Sequence, residues 1–560
     1  MRFPCFFDLG VSKKNTHVMK KIIILIAVLA TQFSFGQTQD ALVFFADKEN
    51  VQASIDNPIS ILTQEAIDRK AMHNVAIDAR DVPVTPTYID QVKSASGITV
   101  FAKSKWMNCV YVQGTQGAIE DLLTLSFVTS VEWMDKDLNN FPVPDSQGMS
   151  NDKFDLENLN SRTVYNYGDA ANQIEMIKGD FLHEQDFTGE GMIIAVLDSG
   201  FPNVATNPAF SHIIDENRLL GTFDFFSRTT DVTGTGSHGA RTFSDIGGFI
   251  ENDFVGTAPN ASFYLFRTEY GPDENPREEA WWVAALERSD SLGVDVINTS
   301  LGYQDYDNPN YDHSYEDLDG QTTIAARGAN IAFAKGMLLV TSGGNDGNGF
   351  GTVATPADAP GLLSIGAVNS EGEYVSFSSR GPTVDGRVKP DVMAQGQDAA
   401  VVDQDGNVTF NNGTSFSSPI LAGSVACLWQ SRPETKNGRI IQVVRESAHL
   451  FNNPTNQMGY GIPNFEDAYN ALQILGVEDQ MLEQNFAVYP NPVTETLMIS
   501  FPVSSEVADL KIYNVLGNLV YDASISTNEN AVNLSSISAG MYIVTIASSE
   551  KINSFKIVKQ

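Results

Sequence analysis

The apolar positions of the chain change rhythm along its length, and each rhythm predicts a different kind of element. Between about residues 165 and 475, unbroken apolar runs end on small or polar residues. Examples are "GMIIAVLDSG" (191–200), "GVDVINTSLG" (293–302), "GMLLVTSGGNDG" (336–347) and "LLSIGAV" (362–368). Runs of Val, Ile and Leu that are apolar on both pleat faces suit strands buried on both sides of a parallel sheet. Helical stretches at 279–289 and 323–335 lie between them. The region is predicted to be an α/β domain, a parallel sheet with flanking helices, whose chemistry sits at the carboxyl ends of the strands.

The segment before it has a tighter rhythm. Apolar residues 41–46 read as a strand, 88–95 as a short helix, 98–102 and 109–112 as strands, 117–123 as a helix and 128–134 as a strand. That order, βαββαβ, is a compact split βαβ unit, assigned to residues 37–150. The polar stretch from Asn139 to Arg162 carries Pro, Gly, Ser and acids without sustained periodicity, so it reads as an exposed connection, with the linker proper at 151–164. At the other end, residues 483–560 alternate in short runs broken by Pro, Asn and Gly. The runs 541–547 and 552–558, separated by four polar residues, signal a hairpin. This end is predicted to be a small β-sandwich.

The extreme N-terminus follows another rule. From Met19 the chain reads "MKKIIILIAVLATQFSFGQTQ", with two lysines, a nine-residue apolar run at 22–30, and small residues Ser34 and Gly36 ahead of Gln37. This is secretory signal-peptide grammar, and the run is too short to span a bilayer. Residues 1–36 are assigned to the leader, with Met19 as the expected start. An exported chain without a membrane span in its mature part follows.

Composition narrows the partners. Acids outnumber bases 69 to 35, for a formal charge of -34. That excludes nucleic acid, which needs a basic face, and leaves carboxylates available for a structural calcium ion. Cys5, Cys109 and Cys427 fall in different segments and offer no disulfide framework; Cys427, in an apolar run, reads as a buried thiol.

Candidate chemistry is concentrated in the α/β region. Asp198 ends the run "IIAVLDSG", His238 lies in "GTGSHGARTFSDIGG", Asn345 in "TSGGNDG" and Ser415 in "FNNGTSFSSP". Each has an ordinary structural reading: a strand-end turn former, a histidine beside glycine, an Asn in a glycine turn, and a helix N-cap. Together they supply what acyl-bond hydrolysis requires: a nucleophile, a base, a carboxylate to hold the base and a donor for the oxyanion. Gly343 and Gly344 let the chain run close to a substrate. Ser415 is not in a nucleophile elbow, because Ser417 stands where G-x-S-x-G needs glycine.

The order Asp, His, Ser is that of subtilisin, and on all these motifs residues 165–475 resemble the subtilisin-like serine peptidases. "SFSSRGP" (376–382) and "KPDVMAQG" (389–396) match that family as well. The resemblance implies Asp198, His238 and Ser415 as the triad and Asn345 as the oxyanion donor. It further implies that Ser300, Leu301 and Gly302 pair their backbone with an extended peptide. Two departures stand out: Ala240 where the family has Thr, and Phe416 and Ser417 where it has Met-Ala. The βαββαβ segment looks like the inhibitory propeptide of subtilases. The C-terminal region, through "YPNPV" (489–493), "IYNVLGNLV", "GMYIVTI" and the terminal "KIVKQ", looks like a Bacteroidetes type IX secretion sorting domain. The expected protein is a secreted or cell-surface serine endopeptidase made as a proenzyme, with no cofactor in catalysis. It would act on proteins or peptides and meet the secretion machinery through its last domain. Two rivals are a subtilase-like adhesin and a serine-carboxyl peptidase. Loss of a triad member would favour the first, and a Glu in place of His238 the second; neither is found. "VVDQDGN" (401–407) lacks the ligand spacing of a calcium loop and reads as a hairpin turn.

Overall fold

The computed structural model describes residues 38–139 and 165–473, and residues 486–560 apart from short breaks. The leader assigned to 1–36 and the linker assigned to 151–164 lie outside the described residues. The N-terminal and central regions form one compact unit, and the C-terminal region forms a second.

In the N-terminal domain, strands β1 (Thr38–Phe45), β2 (Thr99–Ser104), β3 (Cys109–Thr115) and β4 (Val128–Trp133) make an antiparallel sheet in the order β2-β3-β1-β4. Because strand side chains alternate, the unbroken run in β1 makes both sheet faces apolar. Ala41 and Val43 share a core with Val110, Val112, Ile89 and Ile119 of the same domain. Leu42, on the other face, joins Cys109, Tyr111 and Trp106 in a cluster completed by Trp282, Leu286 and Ala329 of the central domain. The expected helices are present as Pro86–Ser94 and Gln116–Asp121. Two more, Val51–Asp56 and Gln64–Met72, were not predicted. The second buries Ala66, Arg69 and Lys70, so its inward face is mostly charged and carries no hydrophobic period.

Those charges are matched across the domain boundary. Asp290 Oδ1 accepts from Arg69 at 2.6 Å and from Lys70 at 2.7 Å, and Lys335 Nζ donates to Asp81 at 2.8 Å. All five side chains are at most 4% exposed. Glu287 accepts from Ser104 Oγ and from the backbone N–H groups of Lys105 and Trp106.

The central domain is built on a seven-stranded parallel sheet. In chain order its strands are β5 (Ile193–Asp198), β6 (Leu219–Asp224), β7 (Ser262–Arg267), β8 (Val296–Thr299), β9 (Leu338–Ser342), β10 (Leu363–Val368) and β11 (Val392–Gln395). Their spatial order is β11-β10-β9-β8-β5-β7-β6. The predicted helices run over Arg277–Leu292 and Ile324–Ala334. A third, Thr414–Gln430, is buried from Thr414 to Trp429. A helix apolar all round belongs inside a domain, and this one packs on β8, β9 and β10 and on the helix His238–Gly247. Within residues 401–407 the expected turn is formed by 403–407, between the paired strands Ala399–Val402 and Val408–Asn411. The Asp403 carboxylate accepts from the N–H groups of Asp405 and Asn407, which closes the turn.

The C-terminal domain consists of two antiparallel sheets, one of three strands and one of four. The expected hairpin is Gly540–Ala547 with Ile552–Lys559. Leu497, Ile499, Leu510, Ile512, Val544, Ile546 and Ile557 fill the space between the sheets and are fully buried.

Candidate active site

Asp198 is the last residue of β5, which runs through the interior of the sheet, and its side chain is fully buried. A buried carboxylate needs donors, and Asp198 has them on both oxygens. Oδ1 accepts from the Ser199 N–H at 2.7 Å and from His238 Nδ1 at 2.8 Å. Oδ2 lies 3.0 Å from the same nitrogen and 3.1 Å from Thr242 Oγ1. Since a carboxylate only accepts, the His238 proton sits on Nδ1 and leaves Nε2 with its lone pair when the ring is neutral.

His238 is the first residue of its helix. The next residue must be small: a Cβ on Gly239 would lie 2.5 Å from the Gly200 carbonyl oxygen and 2.9 Å from Asp198 Cβ. Glycine therefore lets the helix start against the end of β5. The imidazole is about one-third exposed (36%). The charge of Asp198 raises its pKa, burial opposes this, and the hydrogen bond to Asp198 and the charge of Glu269 add to the rise, while Arg241 lowers it.

Ser415 is the second residue of the helix Thr414–Gln430, and it is 9% exposed. Its hydroxyl donates to the Ser300 carbonyl at 3.4 Å, and Ser300 Oγ donates back to the Ser415 carbonyl at 2.8 Å. Among the described residues no hydrogen bond is recorded between Ser415 and His238. Their helices nevertheless meet at their first turns, where the Phe416 and His238 ring centroids are 5.8 Å apart. Asn298, at the end of β8, donates to Ser300 Oγ and accepts from Ser418 Oγ, so one carboxamide braces the Ser300 segment against the Ser415 helix.

Asn345 is tied to the same helix. Its Oδ1 accepts from the Thr414 backbone N–H at 2.9 Å and from Thr414 Oγ1 at 3.1 Å. A backbone N–H can only donate, so the bonded atom is the oxygen and the amide NH₂ faces the other way. Gly344 takes φ +108, and a Cβ there would meet Ser379 Oγ at 2.8 Å; its N–H donates to Thr414 Oγ1. The Gly343 N–H is held by the Ile365 carbonyl. Leu301 and Gly302 carry no backbone hydrogen bond recorded among the described residues, while Tyr303 next to them pairs with Thr355.

Sequence reasoning missed three groups at this site. Thr242 lies one helical turn after His238, so helix periodicity could have found it. Glu269 and Tyr303 had no sequence signal. The Tyr303 hydroxyl donates to Glu269 Oε1 at 2.7 Å, tying the chain after β7 to the chain after β8. Burial raises the Glu269 carboxyl to about 7, against its bond from Tyr303. Among the described residues no group of three or more His, Cys, Asp or Glu side chains is arranged to hold a metal.

Three family matches cover this architecture. Residues 189–461 match the subtilase family, residues 40–152 the peptidase S8 propeptide domain of Bacteroidota, and residues 487–560 a secretion system C-terminal sorting domain. Residues 189–461 are a subtilase-family domain, and the chain is a serine endopeptidase. Its propeptide and sorting domain make it a proenzyme that is secreted or held at the cell surface. No helix among the described residues is long and apolar enough to cross a membrane. The chain is similar to subtilisin E of Bacillus subtilis (strain 168), 28% identical over 301 residues, 53% of this chain and 70% of that protein. It is also similar to the serine protease AprX of the same organism, 26% identical over 330 residues, 54% and 71% of the two chains. Among solved structures, MycP1 from Mycobacterium smegmatis matches at 22% identity and a TM-score of 0.42, covering 56% of this chain and 89% of that one.

Proposed function

We propose that the endopeptidase reaction runs through Ser415, His238 and Asp198, with Asn345 as oxyanion donor. The observation that carries this reading is the double anchoring of the groups around one helix start. His238 is bonded to Asp198 through Nδ1, and Asn345 is bonded to Thr414 through its oxygen. Each therefore keeps its working face, Nε2 in one case and the NH₂ in the other, free for the substrate.

In this mechanism Ser415 Oγ swings from the Ser300 carbonyl and gives its proton to His238 Nε2 as it attacks the peptide carbonyl carbon. The negative charge that develops on the carbonyl oxygen is stabilised by Asn345 Nδ2 and by the Ser415 N–H, one of the unpaired amides of a helix N-terminus. His238 then passes the proton to the departing amine, and water releases the acyl group by the same steps in reverse. Ser300, Leu301 and Gly302 hold the peptide as an added strand, with Gly343 and Gly344 passing close on the other side. The N-terminal domain keeps the enzyme inactive until it is cut away, and the C-terminal domain is the export address read by the secretion machinery. The substrates are proteins and peptides.

The test is turnover of a peptide library by purified mature enzyme. Ser415→Ala is expected to abolish hydrolysis, and Asn345→Ala to leave activity lower by about 10²–10³. Casein digestion by the Ser415→Ala protein at the parent rate would overturn the assignment.

A further inference from the structure

We infer that Thr242 is a positioning residue for this reaction, holding the Asp198 carboxylate in the plane that His238 needs. The inference rests on the roles proposed above for Asp198 and His238. Thr242 follows His238 by four residues on one helix and so lies on the same face. It is completely buried. Its hydroxyl oxygen is 3.1 Å from Asp198 Oδ2 and also 3.1 Å from the Gly239 carbonyl. A hydroxyl has one proton to give. The Gly239 carbonyl is already the acceptor for the helical N–H four residues on, whereas Asp198 Oδ2 carries charge, and charge-assisted bonds are about twice as strong as neutral ones. The proton therefore goes to Asp198.

The consequence lies in what each oxygen is left with. Oδ1 has the Ser199 N–H and Ser199 Oγ beside His238 Nδ1. Besides His238, Oδ2 has only Thr242 recorded among the described residues. The torsion that turns a carboxylate about its own bond is soft. Ser199 at one oxygen and Thr242 at the other fix it, and they draw off part of its charge. Without the hydroxyl, a fully buried oxygen would be left with the imidazole as its one donor, which favours the charged ring and withdraws the base. The other charged groups facing the ring are Arg241 on the same helix and Glu269 after β7. Neither is altered by a change at Thr242.

The experiment is the pH dependence of kcat and KM on a short peptide, using purified mature enzyme. Thr242→Val and Thr242→Ala both remove the hydroxyl, one keeping the shape and one giving up volume, and Thr242→Ser keeps it. The expected result is a kcat lowered about tenfold by loss of one bond to a charged group and an unchanged KM. The acid limb should move to higher pH in whichever of Val or Ala folds, and Ser should stay at the parent values. A parent-like kcat and acid limb in the Val or Ala enzyme would overturn the inference. So would an equal loss in Ser and Val, which would make Thr242 a packing residue. Asp198→Asn separates the two levels. If it leaves activity intact, the roles given to Asp198 and His238 fail; if it removes activity while Thr242→Val is silent, only this inference fails.

Discussion

The two accessory domains are built on opposite principles. The C-terminal sandwich closes on itself: the cluster between its sheets is made of its own side chains. The N-terminal domain has one core of its own and a second that it shares, in which Leu42, Trp106 and Tyr111 pack with Trp282 and Leu286 of the catalytic domain. Buried charges deepen the contrast. Arg69 and Lys70 reach Asp290 where none of the three side chains is more than 4% exposed, while the sandwich's own pair, Lys511 and Asp522, is 44% and 51% exposed at 3.5 Å. A domain that fills its core from its own side chains asks nothing of a neighbour's surface. A domain that completes its neighbour's core has to match both its apolar face and its charges.

The largest expected effect follows directly. A chain starting after residue 160 should refold poorly and give little active enzyme, because it must reach its fold with Trp282 and its apolar neighbours uncovered and with Asp290 and Lys335 lacking partners. Refolding it beside residues 37–150 as a separate chain, and then removing that chain, should give active enzyme. A chain ending at residue 482 should lose export and keep its turnover per molecule. Activity assays on refolded protein, together with measurement of secretion, check both; active enzyme from the first or normal export of the second would break the comparison.

Next in size is Asp290→Asn, made in a Ser415→Ala background to prevent cleavage. It leaves Arg69 buried against a neutral amide and Lys70 with Asp81, 3.1 Å away, as its remaining carboxylate, and breaking one side of a buried pair costs about 3–5 kcal/mol. Denaturant unfolding of the whole proenzyme should report a loss of that order.

A third prediction concerns pH and should be indifferent to the tail. As the proposed base, His238 would work only when neutral, and the charge of Asp198 favours the protonated ring, so its pKa is raised above the ordinary 6.5. As pH falls through that raised value the proton occupies Nε2 and activity is lost. Half-maximal kcat/KM on the acid side should lie above pH 6.5 in the full enzyme and in the enzyme ending at 482 alike. A limb at lower pH, or one that differs between the two, would count against it. The smallest effect is Lys511→Ala: an exposed pair is worth about 0.2–1 kcal/mol, and the thermal midpoint of the sandwich should barely move.

How much of this was legible in the sequence depended on how local the cause was. Strands β5, β8, β9 and β10 were readable because burial on both faces leaves an unbroken apolar run. Asp198, His238 and Asn345 were readable as candidates because each stands at the end of such a run or beside glycine, and Ser415 because it follows Gly413 and Thr414 at a helix start. The helix Gln64–Met72 was not, since its buried Arg69 and Lys70 look like surface residues until Asp290 is known to lie opposite. The pairing of Glu269 with Tyr303 was equally silent, because it joins two strand ends that only the sheet order brings together. The anchoring of Asn345 by Thr414 needed the fold as well, though both residues stood in motifs that the sequence had already singled out.

The shared core also turns one cut in the backbone into a change of molecularity. While the chain is whole, the N-terminal domain meets its partner face at an effective concentration on the order of millimolar, whatever the concentration of the protein. Once the chain is severed, the same contact becomes a bimolecular equilibrium that depends on how much of each piece is present. Export carries the protein into a volume far larger than the cell. Cleavage alone need not free the catalytic domain, but cleavage followed by dilution does so progressively, and the buried bonds to Asp290 and Glu287 set how dilute the surroundings must be.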